Sequence, residues 1–244
     1  MKQNLIMVLA AGLFVLSAAS VASAQDGLGI SVGYVSSASI TKGPQDKSHS
    51  PLLNGIRVGA SYDLNITKNF MFQPGLYYSY LTDKRKIGYD ENPLVYVADL
   101  MNEHFMNIPL HFKYSFRISD EVTGLYIFAG PTMTIGLSSK SEVGIVEKES
   151  GEYLGSAKYD YYSRDISFKD ITGMADKMIQ AYLPMGAYRR FDIAMGAGIG
   201  VEIFDYLDVK LGYDWGLMNR MTGDAASDYK THRNQFYVTA GVRF

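Results

Sequence analysis

Asn234-Gln-Phe-Tyr-Val-Thr-Ala-Gly-Val-Arg-Phe244 is the stretch on which the fold turns. Side chains alternate along a strand. Phe236, Val238, Ala240, Val242 and Phe244 therefore share one face, and Gln235, Tyr237, Thr239, Gly241 and Arg243 share the other. The first face is apolar throughout; the second is not.

The same alternation recurs upstream. Leu28 to Val35 sets Leu28, Ile30, Val32 and Tyr34 against Gly29, Ser31 and Gly33, and Leu53 to Leu64 sets Ile56, Val58, Ala60 and Tyr62 against Arg57, Gly59, Ser61 and Asp63. Phe70 to Thr82 and Glu103 to Phe116 follow, the latter with Lys113 and His111 on its polar face. In Leu125 to Leu137 the outward set is Leu125, Ile127, Met133, Ile135 and Leu137. Phe191 to Ile203 is the cleanest repeat, apolar residues against Asp192, glycines and Glu202; Leu207 to Leu217 opposes its apolar set with Asp208, Lys210 and Asp214. With the terminal stretch this makes eight strands.

The connections alternate in length. Ser36 to Pro51, Asp83 to Asn102, Ser138 to Arg189 and Met218 to Arg233 are long, whereas Asn65 to Asn69, Ile118 to Gly124 and Asp205-Tyr206 are short. Up-and-down membrane barrels have this pattern, with long loops outside and short turns in the periplasm. The expected fold is all-β, an eight-stranded antiparallel transmembrane β-barrel with long extracellular loops.

The start of the chain reads as an export signal over residues 1–24. A basic Met1-Lys2 precedes the apolar run Leu5 to Leu16, and Ala22-Ser23-Ala24 is a small-residue cleavage site before Gln25. The barrel domain then occupies residues 25–244. The run is shorter than the roughly 20 residues of a membrane helix, and with no cysteine a lipoprotein anchor is not expected. An exported chain of this kind is periplasmic, secreted or a membrane barrel. Nineteen tyrosines, 12 phenylalanines and 24 glycines suit short aromatic strands. Near balance between 23 basic and 25 acidic residues gives no reason to expect nucleic acid as a partner.

Register has an energetic check. Slipping the seventh strand by one residue would aim Asp208, Lys210 and Asp214 at lipid, at roughly 2–4 kcal/mol for a midplane lysine. These charges are therefore expected inside, where Arg57, Lys113, Lys210 and Arg243 meet Asp63, Asp192, Glu202, Asp208 and Asp214 as a structural polar plug. An eight-stranded barrel is only wide enough for side chains to fill it.

Asn107-Ile-Pro-Leu-His-Phe-Lys-Tyr114, Gly130-Pro131, Phe191 to Gly198 and Leu211 to Asn219, with the terminal Phe244, resemble the porin-like (PorT-type) outer-membrane β-barrel domain family, small barrels of the OmpX/OmpA kind. The resemblance implies the Gram-negative outer membrane, contact with outer-membrane lipid and lipopolysaccharide, and recognition of Phe244 by the barrel-assembly machinery. It implies no catalytic signature and no cofactor.

A barrel-type lipid A deacylase would show His-x-Ser, but Pro51, Met106, Lys113 and Asn234 stand two residues after the four histidines. Omptin-like proteases need ten strands. His111 is expected as a hydrogen-bonded lumen histidine and His104, beside Glu103, as a solvated rim residue. Asp160, Asp165, Asp224 and Asp228 match no calcium-loop spacing. No metal site is expected. Within the longest loop, Ile171, Met174, Ala175, Met178, Ile179, Tyr182 and Leu183 recur at helical spacing after a cap at Asp170. This predicts a short amphipathic helix whose stripe packs for the most part on extensions of the wall, with Met174, Met178, Ile179 and Tyr182 as a candidate docking edge for another envelope protein. Lys86 to Leu100 and Val143 to Tyr162 read as strand-like extensions of the wall. The expected function is non-enzymatic, structural or in surface interaction and assembly, acting through the outer loops; a barrel enzyme acting on outer-membrane lipid is the alternative, and a passive pore a third.

Overall fold

A computed structural model of the chain describes residues 27–42, 47–49, 52–87, 94–117, 123–169, 187–204, 206–222 and 229–244. Its strands are β1 (Leu28–Lys42), β2 (Lys47–His49), β3 (Leu53–Tyr62), β4 (Leu64–Asn65), β5 (Phe70–Ile87), β6 (Val95–Arg117), β7 (Thr123–Glu147), β8 (Tyr153–Asp160), β9 (Ile166–Lys169), β10 (Ala187–Tyr188), β11 (Phe191–Ile203), β12 (Leu207–Gly216), β13 (Met221–Thr222) and β14 (Lys230–Arg243). Eight of them run in the order β11-β12-β14-β1-β3-β5-β6-β7, and β7 pairs back with β11 to close the ring. Every pairing is antiparallel. The seam between the two ends of the chain is long, from Gly29↔Arg243 to Lys42↔Lys230.

Closure explains the alternation. Phe112, Tyr114, Ile127, Met195, Ile199, Leu211 and Trp215 are exposed on the outer wall, while Arg57, Lys113, His111, Tyr126 and Tyr237 are among the largest fully buried side chains. An apolar exterior around a charged interior is the inverse of a soluble protein and suits lipid as the outer solvent. A basic substitution on that wall, Ile127→Arg, is expected to cost about 2–4 kcal/mol if it lies near the midplane, read as a lower urea midpoint in vesicles.

Inward glycines make room for inward aromatics. A Cβ on Gly200 would lie 2.1 Å from the Tyr126 ring, one on Gly198 2.4 Å from Phe128 and one on Gly212 2.4 Å from Tyr237. This is the reason for the glycine-rich inner face of β11.

Several strands outrun their sequence boundaries. Ser36 to Pro51 is not one loop: β1 continues to Lys42 and turns back to pair with β2. Polar Ser37 and Thr41 keep the inward alternation by bonding the Asn234 carbonyl at 3.1 Å and the Thr231 hydroxyl at 2.9 Å. Above the barrel, β5, β6, β7, β8 and β9 form a continuous sheet. The inner half of β7 pairs with β11 and the outer half with β8, and the fork lies where the β6–β7 register shifts beside His104 and Phe105. Among the described residues there is no helix; the stretch Asp170 to Leu183, with Met174, Met178, Ile179 and Tyr182, lies outside them.

Candidate functional site

The lumen is built in three tiers. At the periplasmic end the Lys113 ammonium donates to Asp63 at 3.0 Å and to Glu202. Arg243 reaches the same two carboxylates, each at 2.5 Å. Two cations and two acids thus close a four-member ring. Tyr126 lies 4.2 Å beneath the Lys113 ammonium, measured to the ring centroid, and donates its hydroxyl to Asp208 at 2.7 Å. Gln73 donates to Asp63 at 2.5 Å and accepts from Lys210.

The middle tier is organised by Arg57, whose guanidinium lies 4.6 Å from the Tyr77 ring and 4.1 Å from the Tyr237 ring. Its Nη1 is 3.7 Å from Asp214. Cation–π contacts of this kind contribute more when desolvated, about 2 kcal/mol. His111 shares a 3.2 Å hydrogen bond with Thr132 and stacks on Phe128 at 4.9 Å.

The outer tier is an aromatic and guanidinium stopper. Arg220 donates to Glu103 at 2.9 Å, and Ser139 donates to the same oxygen at 2.9 Å. Arg220 also packs 4.4 Å over Tyr188, which stacks on Tyr161 at 4.4 Å. Arg233 sits 3.8 Å over Phe105 and 3.9 Å from Asp192. Burial, with the neighbouring Tyr188 and Glu103, raises the Tyr161 phenol well above its ordinary value, so this ring is neutral.

Charge in the lumen is balanced. Arg57, Lys113, Lys210, Arg220, Arg233 and Arg243 face Asp63, Glu103, Asp192, Glu202, Asp208 and Asp214. A cavity lined by Arg57, Tyr77, His111, Lys210 and Tyr237 has a volume of ≈ 0 Å³, and one beside Gln73, Asp208 and Arg243 ≈ 10 Å³. Neither has room for a solute.

The structure places all nine sequence-predicted charges in this lumen, with different partners in two cases. Lys210 bonds the Gln73 amide oxygen, and Asp208 accepts from a phenol. Sequence reading missed Glu103, Arg220 and Arg233 as lumen groups. Arg233 was recoverable, because it continues the inward parity of Gln235 and Tyr237; Arg220 follows the end of a strand and carries no periodic signal. His104 is corrected: it is half-buried on the outer wall, its Nδ1 2.6 Å from the Tyr78 hydroxyl and its ring 4.8 Å from Tyr80. Both tyrosines stand on the neighbouring strand β5 and cover that side of the ring. Among the described residues no cluster of His, Cys, Asp and Glu has metal-binding geometry.

A closed antiparallel barrel, apolar outside and charge-paired inside, defines an integral protein of the bacterial outer membrane. The chain belongs to the outer membrane protein β-barrel domain family, whose signature matches residues 6–244. Among solved structures it is similar to Ail, the attachment invasion locus protein of Yersinia pestis, at 17% identity over 90% of this chain and 100% of that one, TM-score 0.36. It is also similar to Neisserial surface protein A, at 10% identity over 88% and 97%, TM-score 0.37. The outer membrane protein OprG from Pseudomonas aeruginosa gives 10% identity over 90% and 96%, TM-score 0.37. Comparison with curated proteins finds no match.

Proposed function

We propose that the protein is a non-enzymatic barrel of the porin-like PorT type, a structural or surface-interaction component that works through the sheet it carries outside the membrane. The observation behind this reading is the contrast between the two cavities among the described lumen residues, neither with room for a solute, and a wall that continues outward as β5 to β9. That sheet exposes Leu94, Tyr153, Leu154, Ile166 and Phe168, apolar groups of the type that anchor protein contacts. The partner is another envelope protein. Phe244, whose amide donates to the Leu28 carbonyl at 2.8 Å, is the group offered to the assembly machinery.

Crosslinking on intact cells tests the reading. A variant in which a short turn replaces residues 153–169 is expected to keep a heat-modifiable barrel and to lose the crosslinked protein recovered with the full chain. Unchanged recovery, or a change in lipid A mass on deleting the gene, would count against it.

A further inference from the structure

The outer wall of β5 to β8 carries a second set of charges that the lumen does not use. On β6 the outward apolar set runs from Phe116 to Met106, the length of a tilted membrane strand, about 9–11 residues. His104 is the next outward residue, held by Tyr78 and packed against Tyr80. This is the aromatic boundary between acyl chains and headgroups.

Directly beyond it the register lines up mostly polar residues in rows. Thr82, Asn102, Lys140 and Asp160 are cross-strand partners in one row, and Lys84, Leu100, Glu142 and Lys158 in the next. Lys86 follows on β5, with its ammonium 5.0 Å over Tyr96. Four lysines here meet two acids. Lys140 is 3.8 Å from Asp160 and Lys158 3.2 Å from Glu142, yet both lysine side chains remain more than half exposed. Lys84 is exposed as well. The excess charge is positive, and it lies at the height where outer-leaflet headgroups begin. Asn102 adds an amide, its oxygen accepting from Tyr80 at 3.1 Å and its NH2 remaining a donor.

We propose that this face, centred on Lys84, Asn102 and Lys140, binds the phosphate groups of an outer-leaflet glycolipid, with Tyr78, Tyr80 and His104 packed at the junction of its sugars and acyl chains. An ammonium row above an aromatic row complements a molecule that is anionic above and apolar below. The site requires no divalent cation, because the protein itself supplies the positive charge. It stands independently of the protein–protein role proposed above.

The test uses the full-length barrel purified in detergent and incubated with diphosphoryl lipid A or with the same lipid stripped of both phosphates, in EDTA. Bound lipid is counted by native mass spectrometry. Wild type is expected to retain the diphosphoryl form, and Lys84→Gln/Lys140→Gln to retain about tenfold less, since two exposed ion pairs each contribute modestly. Lys68→Gln, an exposed lysine at the opposite end of the barrel, is the charge control and is expected to match wild type. Equal retention of the two lipids by wild type, or full retention by the double variant with its heat-modifiability intact, would overturn the proposal. Release of the lipid by an equal concentration of inorganic phosphate would assign the site to free phosphate and overturn the lipid reading.

Discussion

Replacing Lys113 with methionine is expected to destabilise the barrel by about 3–5 kcal/mol, the cost of removing one partner from a buried ion pair. Lys113 is fully buried and bonds both Asp63 and Glu202. Its loss leaves two carboxylates at the lumen floor to share Arg243, which already contacts both. Repulsion and desolvation then act together. The urea midpoint in vesicles is the readout. Lys113→Met combined with Asp63→Asn is expected to recover part of the loss, because one acid leaves with the ammonium and Arg243 stays paired with Glu202. A single variant within about 1 kcal/mol of wild type, the scale of a surface pair, would show that the ring contributes little.

The second large effect concerns permeation. Wild type is expected to give no stable conductance in planar bilayers, since three tiers of side chains fill the barrel. Cutting Arg57, Arg220 and Arg233 back to alanine removes the largest groups from the middle and outer tiers and leaves Asp214, Glu103 and Asp192 facing the new space. Discrete openings selective for cations are expected. The charge-neutral companion Arg57→Ala/Asp214→Asn guards against misfolding, and it is expected to conduct weakly without marked selectivity. A heat-modifiable triple variant that stays silent, or one that prefers anions, would contradict this account of the lumen.

The barrel was legible in the sequence because lipid and lumen make opposite demands on alternate residues. Phe191 to Ile203 and Leu207 to Leu217 show the rule unmixed, and an error of one residue would have turned Lys210 toward hydrocarbon. Even the ambiguous fifth strand resolves correctly, since Tyr126 and Phe128 are both buried inside against glycines of β11. Strand ends were less visible. Ser37 and Thr41 continue a strand whose inner face is polar and whose outer face no longer needs to be greasy once it leaves the membrane, so hydropathy falls silent although pairing continues. Lumen pairing was legible only as a list of charges. Which acid meets which base depends on strand stagger around the ring, and that brought Gln73 rather than a carboxylate to Lys210. Arg220 was hidden for a different reason. It enters the lumen after β12 ends, its amide donating to the Thr231 carbonyl at 2.8 Å, and no periodic rule reaches a residue placed by tertiary contact.

The fork in β7 bears on how the molecule takes load. A pull on β6 along its own axis, with β7 held in the wall, runs parallel to a ladder that extends from Val95↔Glu147 down to Arg117↔Gly124, so its hydrogen bonds are sheared together and resist as a group. Tension on β9 meets a ladder of four residue pairs, Ser156↔Lys169 to Tyr159↔Ile166, which peels one pair at a time. The pairing of β9 with β8 is therefore expected to part well before the ring opens. The outer hairpin can give way while the closed wall of the barrel stays whole.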